Sequence, residues 1–155
     1  MLRMSKLTDY GTVVMTYLAR NPSGIHTANE IADEVAVALP TTSKLLKLLA
    51  RAGLVTSTRG THGGYLLARP ASEISIAQVI AALEGPIGLT ECASTPGVCE
   101  QERGCSVSGN WQRINRVVVG ALQQVTLAEM VAPIFPVDVS RLKTNSTRRA
   151  AALTE

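Results

Sequence analysis

A glycine-rich segment between two short β-type runs constrains the fold of this chain more than any other feature. Residues 58–64 contain three glycines and are flanked by the strand-like runs 54–57 and 65–67. Because glycine enters tight turns at little steric cost, the pattern predicts a β-hairpin with an exposed tip. Two short helical patterns precede this hairpin, and that order is typical of a winged helix-turn-helix domain.

The spacing of apolar and capping residues predicts the helices that carry this hairpin. Apolar residues on one face predict a first helix over 7–18. Thr27 and Glu30 form a capping-box pattern that opens the second helix. The third helix has Pro40 in its first turn, without a good N-cap residue before it, and Gly53 suits a left-handed position beyond its end.

The rest of the chain is predicted to be helical apart from one segment. Ser75 opens a helix over 76–83, a long helix follows over 108–124, and Thr126 opens a short last helix. Residues 88–107 show neither helical nor strand periodicity. Only 3% of the 155 residues are aromatic, so aliphatic side chains must fill the core, and we expect a mainly α fold.

The charge is unevenly distributed along the chain. The net charge is +3, but residues 1–69 carry 8 Lys and Arg against 4 Asp and Glu, whereas residues 70–110 carry 1 against 5. A basic front followed by an acidic part indicates a DNA-facing module joined to a separate site. Without an apolar leader or a run of roughly 18 apolar residues, we expect a cytoplasmic protein that makes no membrane contact.

The third helix and the hairpin tip hold the candidate DNA contacts. Hydroxyl and ammonium groups at the start of the helix suit base edges in the major groove, later cations suit phosphates, and a guanidinium at a hairpin tip suits a narrow minor groove. The alternative is an ordinary solvated helix face. The candidates are Thr41, Thr42, Ser43, Lys44, Lys47, Arg51, Arg59 and His62.

All three cysteines lie in the aperiodic segment, at positions 92, 99 and 105. Thiolates bind soft metals and iron–sulfur centres, and this spacing lacks the paired C-x-x-C of structural zinc sites. Three thiols leave one coordination position to another ligand. The alternative, three unrelated buried cysteines, does not suit a polar segment that contains glycine. Since only His26 and His62 could act as histidine bases and neither stands beside a cysteine or carboxylate in the sequence, we expect neither an enzyme nor a small-molecule substrate.

Several motifs together resemble the Rrf2 family of transcription regulators, of the IscR/NsrR/SufR type, over about residues 1–131. The motifs are Leu7-Thr8-Asp9-Tyr10-Gly11, Ala50-Arg51-Ala52-Gly53-Leu54-Val55, the wing 59–67, Leu83-Glu84-Gly85-Pro86, the three cysteines and Thr126-Leu127. The opening and the stretch 109–115 look most like the proteobacterial branch that regulates SUF iron–sulfur assembly.

The resemblance implies a homodimer, joined through the long helix 108–124, on an imperfectly palindromic double-stranded operator. It assigns Cys92, Cys99 and Cys105 to an iron–sulfur cluster, expected to be 2Fe–2S rather than 4Fe–4S, and it points to Asp9 of the partner subunit as fourth ligand. The alternatives for that ligand are a glutamate of the same segment (Glu91, Glu100 or Glu102), Ser108, water or a small thiol. The chain departs from the IscR pattern at Ser108, where that branch has a histidine, and at Ser43, where it has a glutamate. The gap between Cys92 and Cys99 is also one residue longer than is usual in the family.

These observations divide the chain into four parts: a winged-helix domain (1–84), a cluster-binding loop (85–107), a dimerisation helix with a short terminal helix (108–131), and a disordered tail (132–155). The expected function is a regulator, in the first instance a repressor, that senses iron–sulfur status and controls SUF genes. The alternatives are a nitric-oxide or redox sensor of the same family and, in another class, a small thiol-redox or metal-carrier protein.

Overall fold

The computed structural model describes residues 4–60, 62–95, 97–101 and 104–132. The expected disordered tail therefore lies outside the described residues, apart from Ala132 at its start. The described helices and strands follow one another in the order α1 (Lys6–Arg20), α2 (Ala28–Val35), α3 (Leu39–Arg51), β1 (Val55–Thr58), β2 (Gly64–Leu67), α4 (Ile76–Glu84), α5 (Glu91–Ser94), α6 (Ser108–Gln124) and α7 (Leu127–Val131), with a 3₁₀ turn at Ala71–Glu73 between β2 and α4.

Short polar side chains start most of these helices, as the sequence predicts. Thr27, Ser75 and Thr126 each form a complete capping box, in which the hydroxyl accepts from the backbone three residues on. Helices α3, α5 and α6 begin without a side-chain cap, and in α3 Pro40 stands in the first turn. Gly53 takes the expected left-handed conformation beyond the end of α3, with φ +70°.

The two strands form the predicted antiparallel hairpin, which is the wing of the domain. Val55 lies opposite Leu67 and Thr58 lies opposite Gly64. At the tip, the Gly63 N–H donates to the carbonyl of Gly60 at 2.9 Å. A Cβ on Gly63 would lie 2.3 Å from the Thr58 carbonyl oxygen, so the tight return of the chain requires glycine there.

The apolar core lies between α1, α3 and α4 and is filled by aliphatic side chains. Helix α1 packs against α3, α4 and α7, and α2 packs against α3. Completely buried members include Val14, Leu45, Ile74 and Leu127. Burial of such aliphatic side chains is the main source of stability for a fold of this size.

Helix α7 belongs to this core, although its place in the sequence predicts a separate part that it shares with α6. Leu127 is completely buried, and its N–H donates to the Ile74 carbonyl at 2.8 Å. Ser75 and Thr126 form an isolated antiparallel bridge. The chain therefore returns to the first domain after α6, and residues 127–131 complete the hydrophobic core.

The cysteine segment, residues 85–107, contains one element that the sequence did not predict, the short helix α5. A single turn of four residues is too short to produce a visible periodicity. Its second residue, Cys92, is buried, and it is the only buried residue among the described residues of the segment. The expectation of an irregular loop without buried residues is therefore wrong at α5 and Cys92.

Helix α6 matches the predicted range 108–124; three of its large apolar side chains are exposed, whereas Val118 and Leu122 are partly buried. Asn115 is its only buried residue, while Val117 is 69% exposed and Trp111 and Ile114 are also exposed. None of the described helices has the length and apolar character needed to cross a membrane.

Candidate functional site

The outer face of α3 carries positive charge and no carboxylate. Lys44, Lys47 and Arg51 are exposed, and the partly buried Thr41 and Ser43 lie near the start of the helix. The carboxylates of the neighbouring α2, Glu30, Asp33 and Glu34, are all exposed. Because DNA is a polyanion, α3 rather than α2 is the face that suits it.

Thr42 has a structural role and is not available to DNA. Its side chain is 0% exposed, and its hydroxyl donates to the Val37 carbonyl at 3.2 Å. Thr42 precedes Leu45 by three residues and Leu46 by four, so it lies on the buried stripe of α3. The expectation that Thr42 contacts the major groove is therefore wrong.

The wing presents two of the expected polar residues to solvent. Arg59, directly before the Gly60–Gly63 turn, and His62, within it, are both exposed. Thr61, which stands between them, lies outside the described residues. The position of Arg59 at a tight hairpin tip suits insertion into a narrow groove, where the negative potential of DNA is strongest.

His26 fastens the wing to α1. Its backbone exchanges two hydrogen bonds with that of Tyr65 in β2, at 3.0 and 2.8 Å. Its Nε2 lies 3.0 Å from the Asn21 carbonyl and must donate to it, which leaves Nδ1 of the neutral ring to accept from the Tyr17 hydroxyl at 3.3 Å. Burial, with smaller contributions from Glu34 and Glu30, raises the pKa of the Tyr17 hydroxyl.

The three cysteines are free thiols in different surroundings. Cys92 is buried in α5 with its Sγ 3.3 Å from the Thr90 hydroxyl, whereas Cys99 and Cys105 are partly exposed. Three thiols within fourteen residues fit an iron–sulfur cluster chemically. Within the described ranges, however, no three His, Cys, Asp or Glu side chains are grouped so that they could hold a metal ion.

The expected and possible fourth ligands lie in separate places. Asp9 is exposed in the first turn of α1 and lines a cleft between α1, α4 and the α6–α7 end of the chain. Ser5, not Asp9, is the N-cap of that helix. The Ser108 hydroxyl donates to the Cys105 carbonyl at 3.2 Å. Glu91 and Glu100 are exposed, and Glu102 lies outside the described residues.

Two residues next to the cysteine segment make polar contacts with distant parts of the chain, and sequence reasoning assigned neither of them a role. Glu84 accepts hydrogen bonds from Ser5 and Thr8, which lower the pKa of its carboxyl, with burial acting in the opposite direction. It thereby ties the end of α4 to the start of α1.

The second residue is Asn115 of α6. Its Nδ2 donates to the Ile87 and Ala93 carbonyls at 3.0 and 3.1 Å, and its Oδ1 accepts from the Leu89 N–H at 3.1 Å. A signal was present in the sequence, because Asn115 is a polar residue at helical spacing between Trp111 and Val118.

A helix-turn-helix with a basic third helix and a wing defines the winged-helix class of DNA-binding proteins. Comparison with known proteins makes this more specific. The Rrf2 family, described as iron-dependent transcriptional regulators, matches residues 4–133. The chain belongs to this family.

Individual relatives agree with this assignment. The HTH-type transcriptional regulator IscR of Serratia proteamaculans is 30% identical over 151 residues, which cover 97% of this chain and 92% of that protein. Among solved structures, CymR, the global cysteine regulator of B. subtilis, superposes with a TM-score of 0.66 at 30% identity over 84% of this chain and 97% of CymR. IscR of T. potens superposes with a TM-score of 0.64 at 28% identity over 84% of this chain and 86% of that IscR.

The relatives are transcription regulators and not enzymes, as expected for this chain. Membership of this family of transcription regulators argues against the alternative of a small thiol-redox or metal-carrier protein. The chain is a helix-turn-helix transcription regulator similar to IscR and CymR.

Proposed function

We propose that this regulator binds double-stranded DNA as a homodimer, through α3 and the wing, and responds to an iron–sulfur cluster in its cysteine segment. The observation that supports this proposal best is that the candidate DNA contacts and the cysteines lie in separate parts of the molecule. The exposed cations of α3 and the wing lie in the first domain, whereas all three free thiols lie in a segment outside its apolar core.

Homodimerisation is supported by the uncovered apolar side of α6. Trp111, Ile114 and Val117 are exposed on a helix of 17 residues. A helix with such a face in a monomer is typical of an interface, and a symmetric dimer is the commonest way to cover it. Two copies would also present two α3 helices to an operator with two half-sites.

The cluster proposal depends on donor chemistry. Cys92, Cys99 and Cys105 would supply three thiolates, and we keep Asp9 of the partner subunit as the proposed fourth ligand. When bound, the cluster would supply redox- and oxygen-sensitive chemistry. Because only Cys92 is buried among the described residues of the segment, gathering the ligands would disturb little of the core.

Control of SUF-type assembly genes follows as the finer part of the proposal. It is supported by the family description as iron-dependent, by the similarity to IscR and by the resemblance of residues 109–115 to the SUF branch. Repression is the proposed direction of control.

DNA binding is tested by footprinting the promoters of the protein's own gene and of SUF genes, with metal-free and reconstituted protein. We expect protection that weakens steeply with salt, because phosphate contacts release counterions. Absence of protection in both forms would remove the proposal.

The cluster is tested by anaerobic reconstitution followed by absorption spectroscopy and by iron and sulfide counts. Cys92→Ala, Cys99→Ala and Cys105→Ala should each abolish the visible absorption, whereas the matched variant Ser106→Ala should keep it. Asp9→Ala should shift the EPR signal of the reduced cluster and shorten the lifetime of the cluster in oxygen. Stoichiometric zinc without acid-labile sulfide would contradict the cluster.

A second candidate is a redox or nitric-oxide sensor. In one version of it the protein carries no cluster and responds through oxidation of its thiols. It is favoured by the lack of a grouped metal site among the described side chains and by the likeness to CymR, a cysteine regulator with a solved oxidised form in Staphylococcus aureus. This version would be favoured if the protein took up no iron or sulfide during reconstitution and its DNA binding changed when the thiols were oxidised. Nitric oxide that releases DNA from a cluster-loaded protein would favour the sensor of that gas.

A further inference from the structure

Asn115 is placed differently from every other residue of α6. It is 7% exposed, whereas its neighbours Ile114 and Arg116 are exposed. All three hydrogen bonds of its amide go to backbone groups of the cysteine segment, at Ile87, Leu89 and Ala93. A single side chain of α6 therefore holds both ends of the stretch that carries Cys92.

The backbone of this stretch is folded so that one amide reaches both ends. A Cβ on Gly88 would lie 2.2 Å from Cβ and 2.7 Å from Cα of Ser94, so residues 88 and 94 are in close contact. This brings the Ile87 carbonyl near the carbonyl of Ala93. The latter lies in the last turn of α5, where a carbonyl has no partner within the helix, and Asn115 satisfies it.

Helix α5 also packs against α6, but few other contacts fix this stretch to the body of the protein. Cys92 is buried but is not part of the continuous apolar core, and the other described residues of the segment are not buried. Another side-chain bond from α6, between Ser108 and the Cys105 carbonyl, lies at the first residue of that helix. Asn115 is therefore the central polar attachment between α6 and the cysteine segment.

We infer that Asn115 is a positioning residue that holds Cys92 in its buried place and couples the chemical state of this thiol to α6. Ala93 follows Cys92 directly, so any displacement of the cysteine moves an acceptor of the Asn115 amide. Helix α6 must respond, because that amide is its only buried side chain. The inference rests on the proposed function only in taking Cys92 as the point where the signal arrives.

The positioning role is tested on the full-length, metal-free protein by alkylation with iodoacetamide at one pH, with the rate at each cysteine followed by mass spectrometry. Asn115→Asp keeps an acceptor for Leu89 but removes both donors, and it sets a charge against two carbonyls. We expect Cys92 to react about tenfold faster, while Cys99 and Cys105 change by less than about twofold. The matched variant Asn110→Asp, at an exposed position of the same helix, should behave like the wild type.

An unchanged Cys92 rate, or an equal increase at all three cysteines, would overturn the positioning role. The coupling is measured in a protein that keeps Cys92 as its only thiol through Cys99→Ser and Cys105→Ser. Alkylation of Cys92 should shift the emission of Trp111, the single tryptophan of the chain, which lies one turn before Asn115. It should also speed hydrogen exchange at the Leu89 amide.

Both changes should be absent when Asn115→Asp is added. Should that variant fail to fold, as judged by circular dichroism, the two measurements on the protein that retains Asn115 still decide: no change in either would refute the coupling. The outcomes are independent of the proposed function. Failure of the wild type to take up iron and sulfide removes the cluster, whereas the alkylation rates decide the role of Asn115.

Discussion

The winged-helix core and the cysteine segment are stabilised by different interactions. In the core, aliphatic side chains such as Leu45, Ile74 and Leu127 are completely buried, and each contributes about 1.5–3 kcal/mol when removed from water. In the cysteine segment only Cys92 is buried among the described residues. Its attachment depends on hydrogen bonds, each with a net contribution of about 0.5–1.5 kcal/mol.

The difference teaches how a small regulator can keep a stable DNA-binding part beside a responsive one. A region held by extensive burial opens only when the whole domain unfolds, whereas a region held by a few polar contacts opens locally at much lower free energy. A chemical change at the cysteines can therefore move their segment while α3 and the wing keep their geometry.

The largest expected effect compares Leu45→Ala in the core with Val98→Ala in the cysteine segment. Leu45 is completely buried, so its truncation should lower the free energy of unfolding by about 2–5 kcal/mol. Val98 is exposed, and its truncation should change that energy by less than about 0.5 kcal/mol. Urea denaturation measures both, and similar losses in the two variants would break the comparison.

A smaller effect is expected on DNA binding from Arg59→Ala. Loss of one specific contact should weaken operator binding by about 1–3 kcal/mol without changing the alkylation rate of Cys92. Arg113→Ala, an exposed arginine on α6, serves as the matched control and should leave binding nearly unchanged. Fluorescence anisotropy at fixed salt gives the affinities. An equal loss in both variants would mean that only net charge matters.

Glu84 lies at the junction of the two regions and should give a pH effect. Hydrogen bonds from Ser5 and Thr8 lower its pKa from the ordinary 4.5. A group whose pKa is lowered in the folded state stabilises the protein above about pH 4.5, and this contribution is lost as the pH falls through the lower folded value. Glu84→Gln should therefore flatten the acid limb of stability against pH.

The control for this measurement is Glu100→Gln in the cysteine segment, which removes a carboxylate at an exposed position. Thermal unfolding between about pH 3 and pH 7 covers the window of the Glu84 shift. Equal flattening in the two variants would show that the tie between α4 and α1 contributes nothing specific.

The smallest expected effect is in the turn between α2 and α3. Ala36 has a left-handed backbone with φ 53°, which is unfavourable for any residue with a Cβ. Ala36→Gly should stabilise the protein by up to about 1 kcal/mol, the relief of strain exceeding the entropy cost of glycine. Ala52→Gly, at φ −80°, should destabilise it instead. Identical signs for the two changes would contradict the assigned strain.

Local chemistry was enough to predict most of the helices and the wing. Capping boxes, the proline in the first turn of α3 and the glycine turn act between residues a few positions apart, so their effects can be recognised in the chain without a fold. The wing glycines and the three cysteines also carried the resemblance to the family. Helix α5 was missed because one turn shows no period.

The errors at individual residues have a common cause. Thr42 was taken as a DNA contact because hydroxyls are polar, but its spacing to Leu45 and Leu46 places it inside. Leu127 was assigned to a separate part because it follows the long helix, yet it fills the core beside Ile74. In both cases burial depends on which segments pack together.

By itself, the amino-acid sequence determined the winged-helix class, the order of the helices, the basic α3 and the chemistry of three thiols, because these depend on residue type and short spacing. Only the tertiary structure decided that α7 closes the core, that Cys92 is buried, that Asn115 holds the cysteine segment on α6 and that Glu84 ties α4 to α1. Those contacts join residues from 22 to 79 positions apart, for example Asn115 to Ala93 and Ser5 to Glu84. Hydrogen bonds over such separations follow from the packing of whole helices, which no local pattern encodes.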